Sequence, residues 1–583
     1  MSHRTQNPKG WQTTGSSLRP FGAWILEPES LQRSTLDHRL CKMASMNSLH
    51  SRQAFHLRIA ILVLALRRRR LILSFLLLVQ ICTATPVGAK DPPTKRRPTP
   101  SLAARIDQIL RASDASRGFW GVEVAELPGG KILFDRDAQH LFHPASNMKL
   151  FTTAAALEKL GPSFVFRTTV ERDSGPPDQG IVPQLYLVGR GDPTLCGEVL
   201  PPSGAAVQTG NHTCTALEDM AAQVRAHGVI EVTGRVVADE SYFDFEPYIH
   251  GYTAEDLEWG YGATVSALVF NSNALLLRIK PGLKVGDPAQ ISLDRLPDYY
   301  QINNALLTAA PGSEGHLFVE RVLDSTRLDV WGQIPLGSGE ADEHVAIAHP
   351  AELVGELFRK VLESAGTVVK GGVEVRQVTP LEAAMGHRTP MQSSPRAVLA
   401  EHDSEPLSEI VKLTNKESRN LYAELLLRTL GRQVKHGGSI EDSLQVLNDF
   451  VLQAGAKPGE TVFADGSGLS RDDLVTPDVI VKLLIHMASG PSSELFLDSL
   501  PVAGVDGTLA DRFKGTRLKG RIHAKTGTLE GVNALSGYMD LPSGKRLVFS
   551  IMANSHPLPN KVGQNVLDEI TEEIYKWYAR RDR

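Results

Sequence analysis

The spacing of apolar residues predicts a mixed α and β protein over most of the chain. Apolar positions that recur every three or four residues indicate helices, and short apolar runs between turn residues indicate strands. Helices are predicted at 102–112 and at about 562–578, and a β-hairpin is predicted at 119–134. Two further strands are predicted at 531–540 and 545–554. The front and the back of the chain therefore carry elements suited to one sheet covered by helices.

One apolar, alanine-rich segment, 150–157, is predicted to be a helix that ends at Gly161. Ser146 and Lys149 stand at its start, three residues apart, so a helix places both side chains on one face. A serine beside an amine is a workable nucleophile there, because the helix dipole favours developing negative charge. The alternative is a surface serine that caps the helix beside a solvated lysine.

The segment 171–345 has a different, loop-rich character and is predicted to be an insertion with sheets of its own. A faint repeat relates 226–236 to 365–373, because each follows a helical segment and carries two glycines six positions apart. Two helix–strand units of similar design are predicted, too few for a solenoid. The remaining parts, 102–170 and 346–583, are predicted to form one discontinuous domain.

Residues 1–89 are predicted to be an N-terminal extension and export signal, disordered or removed, and 90–101 a linker rich in Pro, Lys and Arg. Four consecutive arginines precede an apolar run of signal-peptide length at 71–81. Translation is predicted to begin at Met43 or Met46, because signals normally stand at the N-terminus. The protein is expected to be exported, to the periplasm or another extracytoplasmic space. A retained signal acting as a membrane anchor is the alternative.

The composition and charge of the chain argue against some classes of function. The 62 basic and 66 acidic residues give a net charge of -4 without a basic stripe, which argues against nucleic-acid binding. Cys41 and Cys82 fall in the part expected to be lost. The remaining pair, Cys196 and Cys214, suggests a disulfide that closes a local loop of an exported chain. No metal-binding spacing stands out, so no metal or other cofactor is predicted.

Two motifs further along the chain favour a catalytic role for Ser146 and Lys149 over the alternative of a helix cap. Each has an ordinary explanation by itself, as a helix cap or a strand entry, but their order along the chain is specific. The spacing is also informative, with 272 positions between the two motif serines and 107 from the second serine to the next motif. The three motifs are Ser146-x-x-Lys149, Ser418-x-Asn420 and Lys525-Thr526-Gly527.

In this order the motifs resemble those of serine penicillin-recognising enzymes. The large gap between the first two motifs resembles the D-alanyl-D-alanine carboxypeptidase/endopeptidase family of low-molecular-mass penicillin-binding proteins. Stretches at 189–195, 261–268, 465–471 and 504–509 are also similar to that family, although Thr264 stands where a proline is expected. The resemblance covers about 100–583.

The resemblance implies a β-lactamase/transpeptidase-like domain of mixed α and β structure, with an antiparallel sheet flanked by helices. The insertion would hold one or two small α+β domains. The implied activity is D,D-carboxypeptidase or D,D-endopeptidase cleavage of peptidoglycan stem peptides, with β-lactam antibiotics as acylating inhibitors. The alternatives are a β-lactamase-like hydrolase and a non-catalytic cell-wall peptide binder on the same fold.

The resemblance also implies roles for the first two motifs. Ser146 would attack the carbonyl of the penultimate D-alanine and form an acyl-enzyme. Lys149 would take the proton if burial and neighbouring cations lower its pKa. Ser418 would pass that proton to the leaving amine, and Asn420 would bind the substrate amide.

The third motif is expected to bind substrate. Lys525 would attract the terminal carboxylate, with the hydroxyls of Thr526 and Thr528 beside it. Gly527 would let the substrate backbone lie close to the strand. The oxyanion hole would consist of the backbone N–H groups of Ser146 and Thr528.

A glycine-rich loop, 465–471, offers three further candidates that could line the cleft: Asp465, Ser467 and Arg471. An arginine there would suit an acidic or diamino-acid side chain of the peptide stem. The alternative is that this loop is purely architectural.

Overall fold

The computed structural model describes residues 100–174, 179–197, 214–386 and 395–582. The predicted extension, export signal and most of the linker lie outside these ranges. Among the described helices, none has the length and hydropathy required to cross a bilayer.

The two ends of the described chain meet in one five-stranded antiparallel sheet, the first sheet. The N-terminal hairpin adds to the C-terminal strands, with Trp120 opposite Ala553. This pairing confirms the predicted antiparallel sheet built from distant parts of the chain. In spatial order the strands are Ile522–Leu529, Val532–Asp540, Arg546–Asn554, Phe119–Glu126 and Lys131–Arg136.

Helices cover both faces of the first sheet, because its central strands are apolar on both sides. Along one strand Phe549 and Ile551 pack on one face, while Val548 and Met552 pack on the other. The first face is covered by Leu102–Ala112 and Asn560–Arg581. The helices on the second face are Met148–Lys159, Leu407–Lys416, Asn420–Leu430, Ile440–Gln453, Pro477–Ser489 and Ser493–Ser499.

A second five-stranded sheet corrects the predicted end of the insertion. Arg396–Asp403 pairs with Arg167–Asp173, and both strands lie in the sheet that holds Leu185–Val188, Val236–Asp239 and Val373–Arg376. The chain up to about 403 therefore packs with the insertion, and the predicted boundary at 345 lies too early. We use the name inserted region for residues 167–403.

The faint sequence repeat corresponds to two adjacent helix–strand units. The helices Thr215–Ala226 and Pro350–Ser364 are each followed by two short strands. These strands pair in parallel across the units, with Val368 opposite Glu231 and Val373 opposite Val236. The prediction of two units of similar design is confirmed.

The rest of the inserted region consists of small sheets that share one apolar core with the second sheet. Cys196 and Cys214 form the predicted disulfide. The short helix Pro380–Ala384 also lies here. The small sheets are Ile181–Val182 with Glu231–Val232 and Val368–Val369; Ala274–Lys280 with Gln290–Leu293 and Ala341–Ala346; and Gln301–Ala309 with His316–Arg321 and Arg327–Pro335. Outside the inserted region, Thr461–Val462 pairs with Leu474–Val475.

Candidate active site

Ser146 lies in a tight turn immediately before a buried helix. A 3-10 turn, Ala145–Asn147, leads into the helix Met148–Lys159. Ala145 has a left-handed φ of 46°, a conformation that costs a residue with a side chain about 1–3 kcal/mol. The turn therefore needs support from its surroundings. Ser146 is partly exposed while Lys149 is fully buried, so the hydroxyl is accessible and the amine is not.

Three oxygen atoms surround the Lys149 amine. Nζ lies 3.0 Å from Ser146 Oγ, 2.6 Å from Asn420 Oδ1 and 2.7 Å from the Ser467 carbonyl oxygen. A neutral amine has two N–H donors and one lone pair. It can therefore donate to Asn420 and Ser467 while its lone pair accepts the Ser146 hydroxyl proton.

Burial favours this neutral form. Removal from water lowers the pKa of Lys149 to about 8, although nearby carboxylates act in the opposite direction. The effect of burial was expected, whereas the charges that act on the Lys149 pKa belong to acids and not to the predicted cations. These acids are Asp465, Glu424 and Asp473.

The second motif lies between two helices, where the chain turns sharply. Ser418 has a φ of 61°, and Asn420 opens the following helix. The Asn420 amide has a protein partner at each end, because Oδ1 accepts from Lys149 and Nδ2 donates to the Tyr261 carbonyl at 2.8 Å. The inserted region, which contains Tyr261, thus orients a residue of the second motif.

Lys525 joins the third motif to the second. Its Nζ donates to Ser418 Oγ at 2.8 Å and to the Thr526 carbonyl at 3.0 Å. The side chain is fully buried. Burial, together with the charge of Lys149, holds the pKa of Lys525 well below its usual range. Hydrogen bonds thus form two groups at the site, Ser146 with Lys149 and Asn420, and Ser418 with Lys525, and the second motif contributes a residue to each.

Gly527 is required by a contact that the sequence did not indicate. A Cβ at this position would lie 2.7 Å from the Pro144 carbonyl oxygen and 3.1 Å from Ala145 Cβ. The turn before Ser146 therefore packs directly against the strand. This contact supports the strained Ala145 and accounts for the glycine, and the predicted close approach of substrate to Gly527 stays a prediction.

The threonine hydroxyls lie against the protein. Thr526 Oγ1 donates to Thr508 Oγ1 at 2.8 Å. Thr528 Oγ1 accepts from the side-chain amides of Asn533 and Gln564 at 3.4 and 3.3 Å. These contacts fix both side chains on the strand, and their predicted role in binding a carboxylate stays a prediction.

The strand Ile522–Leu529 is an edge of the first sheet, so alternate backbone groups point away from its neighbour. Ala524 N–H donates outward to the Pro501 carbonyl, and the Ile522 carbonyl accepts from Ala503. The same alternation directs the N–H groups of Thr526 and Thr528 outward. This direction is the one that the predicted oxyanion hole requires of Thr528.

Asp465 does not line the cleft, which corrects the substrate-binding prediction. Its side chain is fully buried and accepts hydrogen bonds of 2.6–3.0 Å from its own loop. The carboxylate thereby shapes the loop that presents the Ser467 carbonyl to Lys149. The donors are the N–H groups of Ser467, Gly468, Leu469 and Ser470, and the Ser467 hydroxyl.

Arg471 connects the loop to the inserted region. Its Nη1 lies 2.8 Å from Asp256 Oδ2, and the arginine side chain is 44% exposed while that of Asp256 is 6% exposed. The exposed guanidinium leaves room for a further anionic partner. Its predicted contact with substrate stays a prediction.

The sequence did not predict every residue that completes the site. Ser467 was predicted to line the cleft, but what it offers Lys149 is its backbone carbonyl. Tyr261 also acts through its carbonyl, so its side chain gave no signal. Glu424 and Tyr252 lie behind the Ser467 loop. The glycines on either side of Ser467 were the available signal, because they permit close backbone approach.

Gly468→Ala is expected to damage the Ser146 turn. Gly468 has a φ of 81°, and a Cβ there would lie 1.8 Å from the Ala145 carbonyl oxygen. We expect a loss of about 3 kcal/mol in the free energy of unfolding, measured by urea denaturation, together with slower acylation by penicillin. Gly459→Ala is the matched control, because Gly459 has a φ of 89° with no atom within 4 Å of the added Cβ. Equal losses in the two variants would contradict the clash.

The chain matches the model of one protein family along most of its length. The model of the D-Ala-D-Ala carboxypeptidase 3 (S13) family matches residues 102–579. The chain belongs to this family. The matched segment contains all three motifs and the entire inserted region.

Individual members of the family are similar along most of their length. A D-alanyl-D-alanine carboxypeptidase of Actinomadura sp. (strain R39) is 37% identical over 469 residues, which cover 79% of this chain and 82% of that protein. The D-alanyl-D-alanine carboxypeptidase DacB of Haemophilus influenzae is 25% identical, over 76% of this chain and 88% of its own.

A solved structure shares the fold. The crystal structure of penicillin binding protein 4 (dacB) from Haemophilus influenzae superposes with a TM-score of 0.68 at 22% identity, covering 82% of this chain and 100% of that one. This chain therefore shares its fold with that structure over most of the length of both.

Proposed function

We propose that this chain is a serine D-Ala-D-Ala carboxypeptidase/endopeptidase that cleaves peptidoglycan stem peptides through an acyl-enzyme on Ser146. The observation that carries the proposal is the Lys149 amine, which lies 3.0 Å from Ser146 Oγ with its other two contacts made to acceptor oxygens. That arrangement suits a neutral base beside a nucleophile. Membership of the S13 family supports the same activity.

The reaction begins with proton transfer and attack. The Ser146 hydroxyl gives its proton to Lys149 while Oγ attacks the carbonyl carbon of the penultimate D-alanine. The N–H groups of Ser146 and Thr528 stabilise the oxyanion, and the loss of one such donor typically costs about 3–4 kcal/mol of transition-state stabilisation. The intermediate then collapses, and the peptide C–N bond breaks.

Departure of the terminal D-alanine requires a proton on its amine. Lys149 passes the proton taken from Ser146 to Ser418, whose hydroxyl gives its own proton to the leaving nitrogen, so Lys149 is neutral again. Lys525 holds the Ser418 hydroxyl in place through its hydrogen bond to Oγ. Water then attacks the ester on Ser146, with Lys149 again as base, and releases the shortened peptide.

The remaining candidate residues, in the third motif and at Arg471, bind the substrate. The terminal carboxylate of the peptide is placed near Lys525, where an anion favours the ammonium form that burial disfavours in the free protein. Thr526 and Thr528 flank this position on the strand. Arg471, paired with Asp256, is placed to meet an acidic or diamino-acid side chain of the stem.

The acylation rate should rise with pH. Lys149 must be unprotonated to act as base, and its pKa is about 8. The second-order rate constant for acylation by penicillin is therefore expected to increase about tenfold per pH unit below pH 8 and to level off above it. Stopped-flow measurements with a fluorescent penicillin test this. A flat profile between about pH 6 and pH 9.5 would contradict a neutral lysine base.

Parallel assays distinguish the proposed activity from its alternatives. Purified protein is incubated with a D-Ala-D-Ala peptide, with a cross-linked muropeptide and with penicillin. Release of D-alanine together with a lasting penicillin adduct supports the proposal. Rapid turnover of penicillin without peptide cleavage indicates a β-lactamase-like hydrolase. Binding of the peptide without any adduct or cleavage indicates a non-catalytic binder.

The cellular site follows from the substrate. Peptidoglycan lies outside the cytoplasmic membrane, so we place the protein in the periplasm or another extracytoplasmic space. The Cys196–Cys214 disulfide suits an oxidising compartment. Fractionation of cells with an antibody against the protein tests this placement, and recovery in the cytoplasm alone would contradict it.

A further inference from the structure

A buried polar layer behind Lys149 joins the catalytic residues to the inserted region. Glu424, in the helix Asn420–Leu430, is 2% exposed, and both its carboxylate oxygens face Gly466 N–H at 3.0 and 3.2 Å. Tyr252 enters from the inserted region. Its hydroxyl lies 3.5 Å from Glu424 Oε1 and 3.1 Å from Ser467 Oγ.

These contacts fix the direction of two carbonyl groups in the loop. The Gly466 carbonyl accepts from the Thr152 hydroxyl at 2.7 Å, and the Ser467 carbonyl accepts from Lys149 Nζ at 2.7 Å. Both acceptors therefore face the Ser146 helix. If Gly466 N–H lost its partner Glu424, a buried donor would be unsatisfied and the loop would gain freedom to rotate.

Burial favours the protonated, neutral forms of the acids in this layer. Glu424 faces Asp465 on the loop, Arg428 on its own helix and Tyr252 from the inserted region, and burial raises its pKa to about 8. Asp473, behind the same loop, also has a pKa well above its usual range because of burial. An ionised Glu424 would favour the ammonium form of Lys149.

We propose that Glu424 and Tyr252 are positioning residues for Lys149, and that the inserted region takes part in acylation through the Tyr252 hydroxyl. They hold the loop so that the Ser467 carbonyl accepts one N–H of the amine, which directs the lone pair at Ser146. This inference rests on the proposed function, because it concerns the rate of acylation at Ser146.

Three variants test the layer without touching Ser146 or Lys149. Tyr252→Phe removes only the hydroxyl. Glu424→Gln keeps an acceptor for Gly466 N–H but cannot ionise. Glu424→Leu removes the acceptor altogether. Tyr186→Phe is the matched control, because its hydroxyl lies in the second sheet of the inserted region, near Asp173 and Gln184.

Four quantities are measured for each variant. They are the acylation rate constant, the dissociation constant of the initial penicillin complex, the pH at which the acylation rate is half of its maximum (the pH midpoint), and the thermal unfolding temperature. We expect Tyr252→Phe and Glu424→Leu to slow acylation about tenfold or more, with the dissociation constant unchanged. Glu424→Gln is expected to stay within about threefold of wild type. Its pH midpoint should move downward, because no carboxylate remains there to favour the Lys149 ammonium.

The groups that face Lys149 in this titration are Glu424, Asp465, Asp473 and Lys525. Rate constants for Tyr252→Phe and Glu424→Leu equal to that of Tyr186→Phe would overturn the inference, and so would an unchanged pH midpoint in Glu424→Gln. The inference would also be overturned if each variant lost acylation activity only in proportion to its loss of folded protein. Absence of acylation in the wild-type protein would instead overturn the proposed function, so the two failures are distinguishable.

Discussion

Ser146→Ala is expected to lose D-alanine release and penicillin adduct formation by a factor of at least about 10⁵. No other described hydroxyl lies within hydrogen-bond distance of Lys149 Nζ, so no substitute nucleophile is poised there. Peptide binding should persist, because Lys525 and the strand remain. Release of D-alanine is measured with an amino-acid oxidase assay, and the adduct is measured by fluorescence in a denaturing gel.

Ser364→Ala is the control for this variant, because Ser364 lies at the end of an exposed helix turn in the inserted region. It should match the wild type in both assays. A Ser146→Ala protein that still forms the adduct would mean that another residue is the nucleophile.

Lys149→Met is expected to lower the acylation rate constant by about 10²–10⁴, the usual contribution of a positioned base. The side chain has no hydrogen-bonding amine, so the Ser146 proton has no acceptor and the Asn420 and Ser467 oxygens lose their donor. Lys149→Arg should fail similarly, because a guanidinium stays protonated and cannot accept a proton. Stopped-flow fluorescence with penicillin gives the rate constant.

The matched control is Lys159→Met, since Lys159 lies at the exposed end of the same helix and contacts Gln453. Circular dichroism and unfolding temperature verify that each variant is folded. An acylation rate constant for Lys149→Met within tenfold of the control would contradict the assignment of Lys149 as base.

The elements of the first sheet could be predicted from the sequence because apolar residues mark them locally. The strands predicted at 531–540 and 545–554 are observed at Val532–Asp540 and Arg546–Asn554. The final helix has its apolar residues at helical spacing, and it buries Val566, Ile570 and Ile574 against the sheet.

The end of the insertion could not be predicted, because it depends on a pairing between distant strands. Arg396–Asp403 and Arg167–Asp173 are more than two hundred positions apart, and nothing in either strand specifies its partner. The same limit applies to Gly527, whose neighbour is the turn before Ser146. Periodicity describes one element at a time, whereas these features depend on contacts between elements.

Five motif residues lie together in the active site, as their order along the chain predicted. The residue type of a single polar side chain was a poorer guide to its role. Lys149 is hydrogen-bonded to Ser146 and Asn420, and Lys525 is hydrogen-bonded to Ser418. Asp465 has the residue type of a substrate ligand, yet its carboxylate is used by its own loop. A sequence lists the polar groups, but only the fold decides which of them face water or substrate.

The central claim is that Ser146 becomes acylated, and peptide mapping tests it most directly. The wild-type protein is incubated with penicillin, digested with a protease and analysed by mass spectrometry. We predict a mass increase of one intact penicillin on the peptide that contains Ser146, with fragment ions that place it on that residue. An unmodified Ser146 peptide, or an adduct located on any other residue, would contradict the account.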